Sequence, residues 1–253
     1  MLDKQQVQRQ FDRSAGTYNN VAGMQRDIVD HLLASNDDVV LSGSVLDAGC
    51  GTGYGLKKIA ERCSVQAVTG VDLAPNMIQM AAKACPSAGL IVGDIERLPF
   101  AAASQDGIFS SSAIQWCDAD VVIREFNRCL VPGGALLMST FVQGTLAEWR
   151  ALWGRSNEQS FLRVRDVEWL FACNWSNVRL ERRTFVQTFT TFTDAVASIR
   201  DLGAGDASPQ RARTPMTKSQ LALVKRRVNR IIDQQGFIAL KYQLAFVSAI
   251  KAR

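Results

Sequence analysis

The chain has 253 residues, of which 47% are hydrophobic and 21% charged, and its net charge is +5. These values are typical of a folded globular protein and exclude a disordered chain. No apolar run approaches the ~20 residues that a bilayer span requires, and the polar N-terminus lacks the pattern of a signal peptide. We therefore expect a cytoplasmic protein with no membrane partner.

The charge is distributed unevenly along the chain. Residues 1–143 contain 11 basic and 15 acidic side chains, whereas residues 144–253 contain 18 basic and 9 acidic ones. An acidic first region joined to a basic second region is an asymmetry that the function has to explain.

The reactive side chains limit the chemistry available to the chain. Six cysteines form no CxxC pair, and His31 is the single histidine. A zinc site or a Ser-His-Asp hydrolase is difficult to build from these residues. We expect no metal, and cysteines that are small buried residues in a reducing compartment.

The first 141 residues show strands and helices in alternation. Hydrophobic spacing predicts N-terminal helices at residues 5–12 and 20–34. Strands are predicted at 44–48, 67–73, 90–94, 106–112 and 135–141. Helices are predicted between them at 54–62, from Pro75 onward and at 121–130, the last of these stopped by Pro132-Gly133-Gly134. This alternation predicts βαβ units and a parallel sheet.

The pattern changes after residue 141. Residues 145–176 are rich in tryptophan and have helical surroundings, and residues 178–190 alternate like a strand, with Val178, Leu180 and Phe185 facing inward. Helices are predicted at 194–204 and 218–233, and a final strand at 240–251. The chain thus contains seven predicted strands, with helical insertions among the last three.

A glycine-rich loop, Asp47-Ala48-Gly49-Cys50-Gly51-Thr52-Gly53, follows the first strand. Glycines at this point of a βαβ unit let the backbone approach a nucleotide-like cofactor. The spacing differs from the GxGxxG pattern that binds a pyrophosphate, and Asp47 favours a cationic ligand instead. Asp72 can accept hydrogen bonds from both hydroxyls of a ribose, and Asp94 from an adenine amine. Adenine, ribose and a positive group together describe S-adenosylmethionine.

Three motifs, LDAGCGTG, VDLAPNM and GDIERLPF, occur in this order, and this part of the chain resembles the class I S-adenosylmethionine-dependent methyltransferases. The resemblance implies an α/β, Rossmann-like fold in which a seven-stranded, mostly parallel sheet carries helical lid insertions. Met77 and Ile95 are then expected on the two sides of the adenine. The implied cofactor contacts are Asp47, Gly49, Cys50, Gly51, Gly53, Asp72, Leu73, Met77, Asp94, Ile95 and Ser111.

Further segments are similar to those of the malonyl-acyl-carrier-protein O-methyltransferases, which convert the free carboxylate of a malonyl thioester to its methyl ester at the start of biotin synthesis. These segments are FDRSAGTY (11–18), AIQWC (113–117), FVQGTL (141–146), SIRDL (198–202) and TKSQL (217–221). The chain departs from that family at DLGAGDAS (201–208). The resemblance implies malonyl-acyl-carrier protein or malonyl-CoA as the acceptor.

The chain is predicted to form one methyltransferase domain over residues 1–253. Residues 1–35 are expected to form an N-terminal helical cap and residues 36–143 the cofactor-binding core. The remaining parts are two helical lid insertions, 144–177 and 191–236, and two final strands, 178–190 and 240–251.

The expected reaction suits a chain with one histidine. A malonyl carboxylate is ionised at neutral pH, because its pKa lies near ~4. Methylation then needs no general base, so we assign no catalytic acid or base, and the protein has to position the acceptor and exclude water. The expected acceptor-binding residues are Tyr18, Gln115, Trp116, Gln143 and Arg200.

Each predicted acceptor-binding residue can instead have a purely structural role. Tyr18, Gln115, Trp116 and Gln143 can be packing residues, and Arg200 can form a surface ion pair. Trp149 and Trp153, one helical turn apart, favour a core position over a wall of the acceptor site.

The basic second region suits an acyl-carrier protein, since such proteins are small and acidic. A solvated helix face is the alternative for any one of these residues. Residues 205–236 contain no aromatic side chain, and the (N/D)-P-P-(Y/F) motif of base-amine methyltransferases is missing, so we expect no nucleic-acid partner. The candidate docking residues are Arg211, Arg213, Lys218, Lys225, Arg226, Arg227 and Arg230.

Three other functions stay open. The chain can be a methyltransferase of another small molecule, such as a polyketide- or quinone-like acceptor. It can also be an RNA methyltransferase that uses the basic region, or a module that binds S-adenosylmethionine without catalysis.

Overall fold

The computed structural model describes residues 3–36, 39–62, 64–153, 161–201 and 217–253, without the side chains of residues 20, 21, 200 and 201. The strands of this part are β1 (Gly43–Ala48), β2 (Val65–Asp72), β3 (Gly89–Val92), β4 (Gln105–Ser111), β5 (Leu130–Phe141), β6 (Trp175–Phe189) and β7 (Ile238–Lys251).

These strands form one sheet in the order β3-β2-β1-β4-β5-β7-β6. Strands β1 to β5 pair in parallel, and β7 runs antiparallel between β5 and β6. The strand order reverses between β1 and β4. In an open α/β sheet the ligand crevice lies at such a reversal, outside the carboxyl ends of the strands. The sheet confirms the predicted fold class and directs attention to the residues that follow β1, β2, β3 and β4.

Helices cover both faces of the sheet. They are α1 (Lys4–Val21), α2 (Gly23–Ala34), α3 (Tyr54–Ala60), α4 (Pro75–Ala84), α5 (Ala119–Cys129), α6 (Ala147–Leu152), α7 (Val164–Leu170), α8 (Phe192–Asp201) and α9 (Lys218–Gln235). One hydrophobic cluster contains residues of α2, α3, α6, α8 and α9, and another contains residues of α5 and α7. Successive β1 residues, Val45 and Leu46, belong to different clusters, as expected for a parallel strand buried on both sides.

The structure corrects three predicted details. The first helix continues to Val21 rather than residue 12, because the contacts of α1 with the loops after β1, β2 and β3 override the low helix propensity of Ser14 and Gly16. Strand β5 begins at Leu130, and Pro132-Gly133-Gly134 lies within it as an irregularity in the pairing with β4. Val178 is exposed, since a register irregularity between Ser176 and Arg179 interrupts the strand alternation there.

None of the helices in the described ranges is long and apolar enough to cross a membrane.

Candidate functional site

The glycine loop after β1 bends around open space. Gly49, Gly51 and Gly53 have φ values of 80°, 53° and 87°, which other residues adopt rarely. A Cβ on Gly49 would lie 2.4 Å from the Cβ of Ala113, and one on Gly53 would lie 2.8 Å from the Cα of Ala81. A Cβ on Gly51 would meet no atom of the described chain within 4 Å. Gly49 and Gly53 are therefore required by packing, whereas Gly51 borders a space that a ligand can fill.

Asp72 closes this loop from the end of β2. Its two oxygens accept the backbone N–H groups of Gly51 and Ala74, each at 2.9 Å. Burial raises the pKa of Asp72, and the two backbone N–H groups oppose that shift. Each carboxylate oxygen has a second lone pair, so Asp72 keeps the capacity to accept the two ribose hydroxyls predicted for it.

Asp47 lies deeper than the sequence analysis expected. Its carboxylate is 2% exposed and accepts a hydrogen bond from the backbone of Leu56 at the start of α3. Burial, and then the negative charge of Asp72, raise the pKa of Asp47 to about 8. The carboxyl group of Asp47 is therefore mainly protonated at neutral pH, and a nearby cation would favour its ionised form. Direct contact of Asp47 with a ligand stays a prediction.

Cys50 directs its side chain away from the open space. The residue is 7% exposed and belongs to the hydrophobic cluster of α2 and α3, and a Cβ on Gly70 would lie 2.9 Å from its sulfur. Its backbone N–H donates to the carbonyl of Val71 at 3.0 Å. Of the predicted contacts of Cys50 with the cofactor, only those of the backbone are compatible with this orientation.

Asp94 follows β3 and is paired with a residue that sequence reasoning missed. The Lys4 ammonium lies 2.9 Å from Asp94 and 2.7 Å from Glu96, and the Asp94 oxygen that it contacts also accepts the backbone N–H of Glu96. Asp94, Glu96 and Cys117 bring their possible metal-ligand atoms within 4.8 Å of one another. The ammonium of Lys4 bonds to all three.

Further contacts of α1 lie within and beside the FDRSAGTY motif (11–18). Gln8 donates to the carbonyl of Leu73 at 3.1 Å, and Asp12 accepts the backbone N–H of Asn76 at 2.9 Å, at the start of α4. Asn19 accepts from the hydroxyl of Thr52 in the glycine loop at 2.8 Å. Helix α1 thus contacts the loops after β1, β2 and β3 with one face. Lys4, Gln8, Asp12 and Asn19 were missed because their partners are distant in sequence.

Tyr18, on the same face of α1, is near Asp72. Burial, and then the negative charge of Asp72, raise the pKa of Tyr18 to about 12, so its phenol is protonated at neutral pH. Tyr18 packs with Ala15, Ala74 and Met77, which is 1% exposed. Ile95 belongs to a different cluster, on the α5 side of the sheet. The structure therefore gives Met77 and Ile95 separate packing environments, and their placement on the two sides of an adenine stays a prediction.

The residues after β4 and β5 form the opposite border of the site. Gln115 donates to the carbonyl of Ser112 and accepts from the hydroxyl of Thr140. Trp116 makes an edge contact with Phe11 of α1, with ring centroids 5.6 Å apart. The hydroxyls of Ser111, the last residue of β4, and Ser139, near the end of β5, are 3.1 Å apart. Gln143 is half-buried, and its backbone N–H donates to the carbonyl of Leu162. An acceptor role for these residues stays a prediction.

The structure describes some of the predicted docking residues and not others. Arg211, Arg213 and most of the DLGAGDAS segment lie outside the described residues, as does the side chain of Arg200. Helix α9 buries Val224 and Val228 and exposes Lys218, Lys225, Arg226, Arg227 and Arg230. The guanidinium of Arg227 donates to the carbonyl of Leu152 at 3.3 Å, at the end of α6. Arg227 therefore has a structural contact, whereas Arg226 and Arg230 lie one turn apart on the outer side.

An aromatic cluster lies beyond the end of β5. The rings of Trp149 and Trp153 are 5.6 Å apart, and both face Phe192 of α8 at 6.1 and 6.3 Å. Phe141, the last residue of β5, is 5.9 Å from the ring of Tyr242. Trp149 is buried, as expected for a core residue.

The strand order with one antiparallel strand, and the glycine loop with carboxylates after β1, β2 and β3, define a class I methyltransferase fold. Residues 46–138 match the family described as "Methyltransferase domain". Malonyl-[acyl-carrier protein] O-methyltransferases from Herminiimonas arsenicoxydans and Serratia marcescens are 30% and 32% identical to this chain. These alignments cover 100% and 97% of this chain, and 98% and 95% of the two relatives. The chain belongs to the malonyl-[acyl-carrier protein] O-methyltransferase family.

Solved structures share the fold at lower identity. A methyltransferase from Bacillus halodurans C-125 has a TM-score of 0.61 and 16% identity, over 88% of this chain and 100% of its own. Phosphoethanolamine N-methyltransferase 2 from Haemonchus contortus, in complex with phosphomonomethylethanolamine and S-adenosylhomocysteine, has a TM-score of 0.60 and 18% identity. That alignment covers 100% of this chain and 61% of the Haemonchus chain. At these identities the likeness concerns the fold.

Proposed function

We propose that the chain transfers a methyl group from S-adenosyl-L-methionine to the free carboxylate of malonyl-acyl-carrier protein, or of malonyl-CoA, at the start of biotin synthesis. The observation that supports this activity most strongly is the extent of the family similarity. It covers nearly the whole chain, including α1 and the region after β5, whereas the glycine loop alone is common to many methyltransferases.

S-adenosyl-L-methionine is the cofactor, and when bound it supplies an electrophilic methyl group on a positively charged sulfur. The residues at the carboxyl edge of the sheet fit this molecule. Gly51 borders open space, and the Asp72 oxygens have lone pairs for the ribose hydroxyls. The raised pKa values of Asp47 and Asp72 mean that a cationic ligand nearby stabilises their ionised forms.

The residues of the chain position the acceptor and exclude water from the site, and none of them has to transfer a proton. The acceptor carboxylate arrives ionised, and Tyr18, protonated at neutral pH, can donate a hydrogen bond to it without taking a proton. Trp116, held against Phe11 of α1, is proposed to shield the reacting groups from water. Gln115 is fixed by Ser112 and Thr140, so its amide has a set orientation at the acceptor's entry. Exclusion of water strengthens the attraction between the acceptor carboxylate and a cation.

An acidic acyl-carrier protein is the proposed partner, and the cytoplasm the proposed location. The exposed basic side chains of α9 offer a positive surface on the same side of the sheet as α8, which favours rapid association with an acidic protein. Free cysteines at 50, 85, 117, 129 and 173 are compatible with a reducing compartment.

A comparison of four acceptors tests the function. The purified chain is incubated with methyl-labelled S-adenosyl-L-methionine and, separately, with malonyl-acyl-carrier protein, malonyl-CoA, a quinone-like phenol and tRNA. We expect label on the malonyl thioesters. Label on the phenol or tRNA alone would contradict the proposal and support one of the other methyltransferase functions. Binding of the cofactor without transfer to any acceptor would support a binding module.

A further inference from the structure

A tyrosine that neither the family motifs nor the sequence analysis identified lies at the acceptor side of the site. Tyr242 is on β7 and is 1% exposed. Phe141, the last residue of β5, pairs with Leu244, and Tyr242 lies two residues further along β7, on the same face of the sheet. Its hydroxyl is therefore placed at the edge where β4 and β5 end.

Among the described residues the hydroxyl of Tyr242 forms no hydrogen bond of acceptable geometry. The Ser198 side chain lies close enough to oppose the rise in the pKa of the phenol, but the hydroxyl of Ser198 donates to Gln187 at 3.2 Å. Burial raises the pKa of Tyr242 to about 12, so the phenol keeps its proton. A buried donor without a partner costs free energy of folding, about 1–3 kcal/mol, and such groups are rare in native proteins unless a function retains them.

Tyr242 packs against the ring of Phe141, with ring centroids 5.9 Å apart, and its hydrophobic cluster contains a second donor of the same kind. The indole N–H of Trp153 is also buried and unpartnered among the described residues, and it belongs to the same hydrophobic cluster as Tyr242, Trp149 and Phe192. Helix α8 packs against β6 and β7 and also contacts α1, which covers the cofactor loops. Tyr242 thus belongs to the cluster on the face of the sheet that α8 covers.

We propose that Tyr242 binds the acceptor by donating a hydrogen bond to the thioester carbonyl oxygen of the malonyl group. This inference rests on the proposed function. An aromatic environment disfavours an unpaired carboxylate far more than a neutral carbonyl, so the thioester end suits this cluster, while the carboxylate remains with Tyr18 and Gln115. Tyr242 would then favour a thioester over a thioether of the same length.

The test compares two acceptors that differ only at this carbonyl. Acyl-carrier protein is loaded from malonyl-CoA or from S-(2-carboxyethyl)-CoA, which has a methylene group in place of the thioester carbonyl. The wild-type chain should prefer the malonyl acceptor in kcat/KM. For Tyr242→Phe we expect this preference to fall about tenfold, since a lost hydrogen bond of ordinary strength corresponds to about that factor.

Ser248→Ala is the matched control. Ser248 is on the same strand, 1% exposed, and its hydroxyl is likewise unpartnered in the described chain, but it lies six residues away, about 20 Å along β7. Both variants remove an unsatisfied hydroxyl and should raise the thermal midpoint, while only Tyr242→Phe should change the acceptor preference. An unchanged preference in Tyr242→Phe would overturn the inference. A wild-type chain that methylates neither acceptor would instead overturn the proposed function.

Discussion

At the residue scale, the site depends on two carboxyl groups that share a small buried region. Asp47 and Asp72 follow neighbouring strands, and burial raises the pKa of both. Backbone N–H groups satisfy part of their hydrogen-bonding capacity, but burial and mutual repulsion oppose the ionisation of both groups at once. A cationic ligand therefore stabilises the doubly ionised pair, which links cofactor binding to ionisation and to stability.

The pH dependence of stability should report on Asp47. The pKa of Asp47 is about 8 in the folded chain and about 3.9 in an unfolded one. Between these values the folded state binds the proton that the unfolded state has lost, so stability is greatest at low pH and falls as the pH rises towards 8. Asp47→Asn stays neutral, and its free energy of unfolding should fall less between pH 5 and pH 8.

Urea denaturation of the Asp47→Asn variant at several pH values measures this effect. The variant should exceed the wild type at pH 8 by on the order of 1–3 kcal/mol. Asp106→Asn is the control, because the exposed Asp106 binds the backbone of Ser44 at the opposite end of the sheet. Parallel pH curves for Asp47→Asn and the wild type would contradict the assigned pKa shift.

Asp72 should determine affinity for the cofactor. Replacing Asp72 by Asn removes the negative charge and turns one acceptor oxygen into a donor that faces the backbone N–H of Gly51 or Ala74. The two predicted hydrogen bonds with the ribose hydroxyls lose their charge assistance, so the affinity for S-adenosylhomocysteine should fall at least about 100-fold. Calorimetric titration measures this affinity, again with Asp106→Asn as control. Equal affinities of Asp72→Asn and the wild type would remove Asp72 from the cofactor site.

At the element scale, α1 is the component that joins the cofactor loops. Its contacts run from Lys4 to Asn19 and reach residues 33 to 113 positions away along the chain. Since α1 lies over the loops after β1, β2 and β3, a bound cofactor would be held beneath it. The order of α1 and the affinity for the cofactor should then depend on each other.

Asp12→Ala tests this coupling. The substitution removes the acceptor that Asp12 provides for the backbone N–H of Asn76, which should destabilise the chain by about 1 kcal/mol. The affinity for S-adenosylhomocysteine should fall several-fold, and the ligand should slow hydrogen exchange in α1 less than in the wild type. Arg9→Ala is the control, because Arg9 binds Gln5 within α1 itself. A cofactor affinity of Asp12→Ala equal to that of Arg9→Ala would show that α1 does not act on the site.

At the scale of the whole molecule, the net charge of +5 combines an acidic cofactor region and a basic region that includes α9. The exposed side chains of Arg226 and Arg230 are four residues apart, so they present one outward face. Within the described residues no hydrogen bond or ion pair is recorded for Arg226 or Arg230, unlike Arg227.

Reversing these two charges should slow the reaction with the carrier protein. We expect kcat/KM of Arg226→Glu with Arg230→Glu to fall at least tenfold for malonyl-acyl-carrier protein at low salt and to change little for malonyl-CoA, because electrostatic steering mainly raises association rates. Lys57→Glu with Lys83→Glu changes the total charge equally on exposed positions of α3 and α4, and serves as control. A similar loss in both double variants would indicate a general charge effect rather than a docking face.

The sequence predicted the parts of this molecule that depend on local pattern. Alternating strands and helices, and the glycine loop with Asp72 and Asp94 at strand ends, were visible because strand order brings such residues to one edge. The pairing of Lys4 with Asp94, and of Asn19 with Thr52, depends on how α1 lies across that edge. The inward orientation of the Cys50 side chain and the lack of a well-formed hydrogen bond at the Tyr242 hydroxyl depend on three-dimensional packing. Such packing cannot be predicted from the pattern of a single sequence.

We propose that the acceptor is the free carboxylate of a malonyl group on a carrier protein. The most direct test of this proposal is the intact mass of malonyl-acyl-carrier protein and acetyl-acyl-carrier protein after incubation with the chain and S-adenosyl-L-methionine. The acetyl group lacks the carboxylate but keeps the thioester and the carrier. We expect the malonyl protein to gain the mass of one methyl substitution and the acetyl protein to gain none. A gain on both proteins, or on neither, would contradict the proposed acceptor.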